Sequence, residues 1–321
     1  MKLLDLYYFV KPAIPHDVRL RIRARIASRQ RRRSASVWPI NESAGQRPEW
    51  WSGWPGGKAF AFILTHDVES RKGMERCRAL AKLETDLGFR SSFNFVPEGD
   101  YNTPSSLRSF LAEHGFEVGV HDLHHDGTLY RSKAEFSAKA SRINEYLERW
   151  QAVGFRSAFM AHNLELLKEL NMLYDASTFD TDPFEPQPDS VNTIFPFWVR
   201  RPDGSGYVEL PYTLPQDSTL FLILGEKTND IWKRKLDWVA RHGGLALVNV
   251  HPDYIAFGER VGRTEFPVTL YEEFLAHVSA QFGADAWYAL PRDVAQFVKE
   301  SVFSTPERAP ETTSAFAQEV L

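Results

Sequence analysis

Short runs of β-type residues alternate with helical stretches from residue 59 onward, and this alternation restricts the possible folds more than any other feature of the chain. Strands are predicted at 59–65, 91–96, 116–120 and 155–159, with further apolar runs at 207–210, 220–224 and 245–250. Helices are predicted at 72–87, 104–114, 132–150, 229–242, 270–282 and 293–302. Strands that alternate with helices form βαβ units. The chain is therefore expected to be an α/β protein with a mostly parallel sheet.

The sequence divides into three parts by composition. Residues 1–57 are a basic N-terminal segment followed by an irregular lead-in rich in Trp, Pro and Gly, and residues 58–304 contain the alternating elements. Residues 305–321 are polar and are predicted to be disordered. Within the central part, residues 178–206 are irregular and rich in Asp, Pro and Phe. A long insertion of this kind favours a binding loop over a separate domain.

The formal net charge of −4 conceals an asymmetry between the start of the chain and the rest. Residues 1–40 hold ten Lys and Arg residues against two acidic ones, a balance of +8, so the remainder carries −12. The basic segment 1–33 is compatible with peripheral contact with an acidic membrane surface, and equally with a solvated helix face or a flexible arm. Nucleic acid is not an expected partner, because no aromatic residues interleave the arginine cluster and the body of the chain is acidic.

The compartment is predicted from what the sequence lacks. The first residues have an acidic residue within a short apolar run and no small-residue cleavage site, so they do not resemble a signal peptide. No apolar stretch approaches the roughly 20 residues that span a bilayer. The single cysteine, Cys77, excludes an internal disulfide. We expect a soluble cytoplasmic protein, with peripheral contact at the inner membrane face if the basic segment binds lipid.

Two histidine-containing runs carry the candidate chemistry: residues 64–69 (LTHDVE) and residues 119–127 (GVHDLHHDG). Both lie at the carboxyl end of a predicted strand, where α/β proteins build their sites. His121 and His125 are four residues apart, a spacing that on a helical turn places both imidazoles on one face. Two neutral imidazoles and a carboxylate from another strand end are a common ligand set for a catalytic divalent metal. The alternative is a polar surface turn that happens to be rich in histidine.

Five stretches, taken in order, resemble the motifs of the polysaccharide deacetylases (carbohydrate esterase family four). They are THD at 65–67, HDLHH at 121–125, GFRSAF at 154–159, YDAS at 174–177 and LVNVH at 247–251. The resemblance covers roughly residues 58–300, and its specificity comes from order and spacing together. It implies that residues 58–304 form a catalytic domain, a distorted (β/α) barrel of about seven parallel strands, that removes acetyl groups from N-acetylated sugars with a metal. Relatives also include hydrolases of other non-peptide C–N bonds, such as those of cyclic amides.

The resemblance also implies a role for individual residues. Asp67 matches the general base, and Arg156 matches the arginine that pairs with the base. His121 and His125 match the two metal histidines, and His251 matches the general acid that protonates the leaving amine. These roles fit amide hydrolysis. A metal polarises the carbonyl, and a base takes a proton from water. A separate acid protonates the leaving nitrogen, because an amide nitrogen cannot depart as an anion. Taken alone, each residue has a structural alternative, such as a strand-end cap for Asp67 or a core position for His251.

The chain departs from the family pattern near the metal. The family has two adjacent aspartates in its first motif, the second of which binds the metal, and here that place is taken by Val68. Glu69 has the same parity as Asp67, so in an extended strand end both side chains point to one side. We predict that Glu69 supplies the third metal ligand. The alternatives are that Asp67 binds the metal itself, or that Glu69 is a surface residue at a helix start.

Further departures concern the substrate side. The arginine motif continues with Ala158 and Phe159 where the family has proline and tyrosine, and the backbone N–H near Phe159 is expected to help hold the oxyanion. Asn249 stands where the family has an aliphatic residue that lines the acetyl pocket, so the implied acetyl specificity is weaker. The residue that orients His251 is predicted to be Asp217.

Three hypotheses follow for function. The favoured one is a metal-dependent hydrolase, its divalent metal expected to be zinc, that removes an acetyl or other acyl group from the amide nitrogen of an N-acylated sugar or polysaccharide precursor. Its partner would be a small carbohydrate or oligosaccharide. The second is a hydrolase of another non-peptide C–N bond, such as a cyclic amide, which Val68 and Asn249 favour. The third is a catalytically inactive carbohydrate-binding member of the fold, against which the joint presence of Asp67, Arg156 and His251 argues.

Overall fold

The computed structural model describes residues 16–187 and 189–304. Residues 1–15 of the basic segment lie outside the described residues, and so does the segment 305–321, which was predicted to be disordered. The rest of the basic segment forms helix α1 (His16–Arg33). Within the described ranges, no helix is both long enough and apolar enough to cross a membrane.

The six helices predicted after residue 58 are present, and their ends differ from the predictions by no more than two residues. They are α2 (Arg71–Asp86), α3 (Ser105–Glu113), α4 (Lys133–Trp150), α5 (Asp230–His242), α6 (Thr269–Phe282) and α7 (Pro291–Ser304). Local chemistry sets several of these ends. Ser70 and Ser132 cap α2 and α4 by accepting the backbone N–H groups of Gly73 and Glu135. After α2, Gly88 adopts a φ of +83°, the left-handed conformation that suits glycine at a helix end.

Among the described residues, seven parallel strands form the curl of one sheet, in the order β8-β1-β2-β3-β4-β5-β7. The strands are β1 (Phe60–Val68), β2 (Ser91–Phe95), β3 (Glu117–His121), β4 (Gly154–Arg156), β5 (Tyr174–Asp175), β6 (Phe197–Arg200), β7 (Gly206–Glu209), β8 (Leu245–Asn249), β9 (Ile255–Ala256), β10 (Phe266–Pro267) and β11 (Ala286–Tyr288). After β7, the amides of Thr213 and Leu214 donate to the Leu247 carbonyl of β8, which brings the two ends of the curl together. The predicted distorted (β/α) barrel of about seven parallel strands is confirmed.

The remaining strands extend this sheet or lie beside it. β11 pairs in parallel with the first residues of β1, and β6 pairs antiparallel with β7 at the edge of the sheet. β9 and β10 form a separate two-stranded ribbon. The insertion 178–206 is therefore not wholly irregular, since it contains β6.

β1 lies inside the sheet and is buried along its whole length. One face packs against a helix, where the ring of Phe60 contacts Phe282 and that of Phe62 contacts Phe274. The other face carries Thr65 and Asp67, which bond to side chains from β4 and β8. Parallel strands that are buried on both faces are normally apolar throughout. The polar residues within β1 therefore mark the position of a site.

The apolar run at 220–224 is not a strand. Residues Ser218–Ile223 form a short π-helical turn, which begins where the Asp217 carboxylate accepts the Ser218 backbone N–H at 2.7 Å. The side chain of Phe221 packs on Trp232 and Phe266, with ring centroids 5.1 and 4.6 Å away. A short apolar run can be either a strand or a buried helical turn, and here the cap selects the turn.

Candidate active site

His121 and His125 approach each other through a turn, not a helix. His121 is the last residue of β3, and Asp122 after it has a left-handed backbone with a φ of +56°. The Asp122 carboxylate accepts the backbone N–H groups of Leu123 (2.6 Å) and Ala158 (3.3 Å), which stabilises the turn. The helical turn predicted from the spacing is therefore wrong, because Asp122 breaks the helical backbone. The two imidazole rings nevertheless lie close together, with centroids 5.1 Å apart.

Glu69, directly after β1, completes a cluster with the two histidines. One ligand atom from each of Glu69, His121 and His125 lies within 4.8 Å of the others. Glu69 Oε1 is 3.1 Å from His125 Nε2, and the Arg156 carbonyl holds His121 Nδ1 at 3.0 Å. Among the described residues, the buried Nε2 atom of His121 has no hydrogen-bond partner, and the buried Nε2 atom of His125 has only the ion-pair contact with Glu69, which lacks hydrogen-bond geometry. One unpartnered imidazole nitrogen, a second that contacts only a carboxylate, and that carboxylate oxygen together fit a divalent cation.

The protonation of these groups suits metal binding. Burial lowers the pKa of His121 to about 4, so its imidazole is neutral at physiological pH. Burial alone would raise the pKa of Glu69, but His125, together with His251 and Tyr254, outweighs it and lowers the value to about 2. Burial acts to lower the pKa of His125, and Glu69 raises it above its ordinary value. The cluster therefore holds an ionised carboxylate (Glu69) and a neutral imidazole (His121). A bound cation would take the place of the proton on the second imidazole, His125.

Asp67 lies next to this cluster but is occupied by hydrogen bonds. Its Oδ1 accepts from Asn94 Nδ2 (3.1 Å) and from an Arg156 Nη atom (3.2 Å), and its Oδ2 accepts from Asn249 Nδ2 (2.8 Å). Burial acts to raise the pKa of Asp67, but the Arg156 guanidinium and nearby imidazoles outweigh it and hold the pKa far below its ordinary value. Asp67 is therefore an ionised, oriented carboxylate.

Arg156, the last residue of β4, organises this part of the barrel and is completely buried. One of its Nη atoms donates to Asp67 and also to Thr65 Oγ1 (2.8 Å) and Asn249 Oδ1 (2.7 Å). Its Nε donates to the Ala176 carbonyl at 2.7 Å, which fixes the plane of the guanidinium. The expected pairing of Arg156 with Asp67 is thus present.

His251 follows β8 and is paired with Asp217, the contact predicted from the sequence. Asp217 Oδ1 lies 2.6 Å from His251 Nδ1, and Oδ2 accepts the His251 backbone N–H at 2.8 Å. The opposite ring atom, Nε2, faces the site, 4.0 Å from Asp67 Oδ2 and 3.8 Å from Glu69 Oε1. Burial acts to lower the pKa of His251, but the Asp217 carboxylate, together with those of Glu69 and Asp67, outweighs it and raises the value to about 10. His251 is therefore held as a proton donor directed at the cluster.

Several residues at the site have no role predicted from the sequence. They are Asn94, which bonds Asp67; Gln216, which bonds Asn249; and Tyr254, which bonds Glu69. A sequence signal exists for two of them. Asn94 is a polar residue between two phenylalanines of β2, and Tyr254 follows His251 in the run HPDY. Neither signal identifies the partner across the sheet.

The histidine of the first motif, His66, has a structural role. His66 is completely buried on the helix-facing side of β1, with Nδ1 2.8 Å from the Val250 carbonyl and Nε2 2.7 Å from Glu84 Oε1. His124 lies outside the cluster, with Nδ1 2.9 Å from the Glu98 carbonyl.

Phe159 and Met160 both have left-handed backbones, with φ of +58° and +52°, a strained arrangement of the kind found at functional sites.

Comparisons with known proteins support the fold. No protein-family model and no curated protein sequence matches the chain. A protein from Mycobacterium smegmatis assigned as a polysaccharide deacetylase is similar in structure, with a TM-score of 0.61, 21% identity, and coverage of 86% of this chain and 99% of that one. PuuE allantoinase is also similar in structure, with a TM-score of 0.60, 16% identity, and coverage of 84% of this chain and 98% of that one. A polysaccharide deacetylase assigned in Pseudomonas aeruginosa PAO1 has a TM-score of 0.57 and 16% identity, with coverage of 80% of this chain and 95% of that one. The chain therefore has the polysaccharide deacetylase fold, which is shared by proteins described as acting on different substrates.

Proposed function

We propose that the protein is a metal-dependent hydrolase that removes an acetyl or other acyl group from the amide nitrogen of an N-acylated sugar or polysaccharide precursor. The observation that carries this proposal is the convergence of three units at one end of the curled sheet. These are the cluster of Glu69, His121 and His125, the Asp67–Arg156 pair, and the His251–Asp217 pair. Each unit supplies a different requirement of amide hydrolysis.

Glu69, His121 and His125 would hold the cation. A divalent cation bound there, for which we propose zinc, polarises an amide carbonyl and makes water a stronger acid. Asp67 would then act as the base, because Glu69 is taken by the cation and the ionised Asp67 carboxylate has its Oδ2 4.0 Å from His251 Nε2. The three hydrogen bonds to Asp67 make it a poor metal ligand, whereas Glu69 Oε1 faces the imidazoles.

His251 would complete the reaction as general acid. An amide nitrogen cannot depart as an anion, so it must receive a proton as the C–N bond breaks. His251 Nε2 faces the same space as Asp67 Oδ2, and Asp217 behind the ring keeps it protonated. Asp67 would remove the proton from water, and His251 would deliver a proton to the leaving nitrogen.

A second function, hydrolysis of a cyclic amide or related C–N bond, is favoured by the polar surroundings of Asn249. The Asn249 amide donates to Gln216 Oε1 (3.2 Å), and Gln216 Nε2 donates to Glu185 Oε1 (2.5 Å). Acceptor oxygens beside the site suit a substrate with N–H groups better than an acetyl methyl group. The structural similarity to PuuE allantoinase is compatible with this alternative.

The test is turnover by the zinc-loaded full-length protein on two substrate panels, with Asp67→Asn as the inactive control. Acetate release from N-acetyl sugars supports the first function, and ring opening of cyclic amides with no acetate release supports the second. Turnover in neither panel, with saturable binding of sugars, would establish the carbohydrate-binding alternative and overturn both.

A further inference from the structure

The carboxylate of Glu69 is held at both of its oxygens. Oε1 faces the metal cluster, 3.1 Å from His125 Nε2. Oε2 accepts a hydrogen bond from the Tyr254 hydroxyl at 2.6 Å. The ring of Tyr254 is fixed in turn by packing against His251, with centroids 5.2 Å apart. Tyr254 thus determines which oxygen of Glu69 is presented to the two histidines.

The backbone of Glu69 is held by the residue before Tyr254. The Glu69 N–H donates to Asp253 Oδ2 at 3.0 Å, and the Ser70 hydroxyl donates to Asp253 Oδ1. This close approach requires a glycine in the first turn of α2. A Cβ added to Gly73 would lie 2.2 Å from Asp253 Oδ2. The chain after β8 and the chain after β1 are therefore joined at the level of the cluster.

A glutamate ligand needs such support more than an aspartate does. The extra methylene gives Glu69 one more rotatable bond, and fixing a long side chain costs conformational entropy. A supporting hydrogen bond that fixes a ligand before the metal arrives reduces that cost, and loss of such a partner typically weakens metal binding by ~10–100-fold. We propose that Tyr254 and Asp253 are positioning residues that allow Glu69 to serve as the carboxylate ligand of the metal. This inference rests on the proposed metal-dependent function.

The test is the affinity of the full-length protein for Zn²⁺, measured by calorimetric titration after removal of metal with a chelator. Tyr254→Phe retains the ring and loses only the hydroxyl, and its affinity is expected to fall by ~10–100-fold. The matched control is Tyr174→Phe, which loses a buried phenol bond to Glu117 (2.8 Å) made from β5, and which should bind Zn²⁺ like the wild type. Asp253→Asn is the second variant and should also bind more weakly. The unfolding free energy of each metal-free variant separates lost affinity from lost folding.

The possible outcomes distinguish this inference from the proposed function. If the wild type binds Zn²⁺ and Tyr254→Phe and Asp253→Asn bind it equally well, the positioning role is wrong and the metal site stands. An equal loss in Tyr254→Phe and Tyr174→Phe would also overturn the inference, because the effect would then be general destabilisation. If the wild type itself does not bind Zn²⁺, the proposed zinc-dependent function fails first.

Discussion

Replacing Asp217 by asparagine is expected to lower the pKa of His251. The Asp217 carboxylate receives the backbone N–H groups of His251 (2.8 Å) and Ser218 (2.7 Å) and lies 2.6 Å from His251 Nδ1, which donates when the ring is protonated. An asparagine keeps only one acceptor oxygen, so its NH₂ group must face at least one of these donors. Both the lost charge and the conflict between donors disfavour protonated His251.

The size of the effect follows from the pKa of His251. Burial acts to lower this pKa, but Asp217, together with Glu69 and Asp67, outweighs it, so the value rises from 6.5 to about 10. One pKa unit corresponds to about 1.4 kcal/mol, so protonated His251 adds roughly 5 kcal/mol to the free energy of unfolding at low pH. A raised pKa stabilises the folded state fully below 6.5, and the contribution is lost as the pH rises through about 10. The destabilisation by Asp217→Asn should therefore be largest near pH 6 and should shrink toward about pH 10.

The assay is chemical denaturation of the metal-free full-length protein at several pH values, with the His251 ring signal followed by NMR. Metal-free protein is required because a bound cation adds its own charge to the site. Asp189→Asn is the matched control, since this exposed carboxylate lies 3.5 Å from a different histidine, His162. The control should leave the pKa of His251 unchanged. A destabilisation by Asp217→Asn that does not depend on pH, or a His251 pKa that does not fall, would contradict this role of Asp217.

Three further predictions concern catalysis, stability and the basic segment. His251→Ala should leave zinc content unchanged and lower turnover by ~10²–10⁴-fold, the range for loss of a general acid; loss of metal or near-normal turnover would contradict its assignment. Lys235→Met leaves its buried partner Asp180 unpaired and should lower the free energy of unfolding by ~3–5 kcal/mol. Lys82→Met, which removes an exposed ion pair, should lower it by less than about 1 kcal/mol, and equal losses in denaturant titrations would contradict this. Residues 1–33 should bind anionic vesicles in a salt-sensitive manner at ~1 kcal/mol per basic residue near the surface; equal cosedimentation by a chain that starts at Trp38 would refute it.

The fold was predictable because it follows from local patterns. The alternation of apolar runs with capped helical stretches occurs within short windows of sequence, and the caps at Ser70 and Ser132 are local as well. The two-residue strand β5 and the edge strands β6 and β11 were not predicted, because such short strands have too few residues to show a period. Their existence depends on a neighbouring strand.

The candidate site was predictable only in part, because many of its contacts join residues that are far apart in the sequence. The motif positions and the Asp217–His251 contact follow from order along the chain and from strand ends. The hydrogen bonds of Asn94 to Asp67 and of Tyr254 to Glu69 join residues 27 and 185 positions apart. Such partners are set by the register between strands, which no local pattern encodes.

The most direct test of the account compares zinc binding by Glu69→Ala and Asp67→Asn with the wild type. Glu69 Oε1 faces the two imidazoles, and Asp67 is occupied by three hydrogen bonds. Glu69→Ala should therefore weaken Zn²⁺ binding by more than ~100-fold, the upper end of the effect of losing a supporting partner. Asp67→Asn should keep the metal and lose turnover. Full zinc occupancy in Glu69→Ala, or loss of zinc in Asp67→Asn, would contradict the assignment of Glu69 as ligand and Asp67 as base.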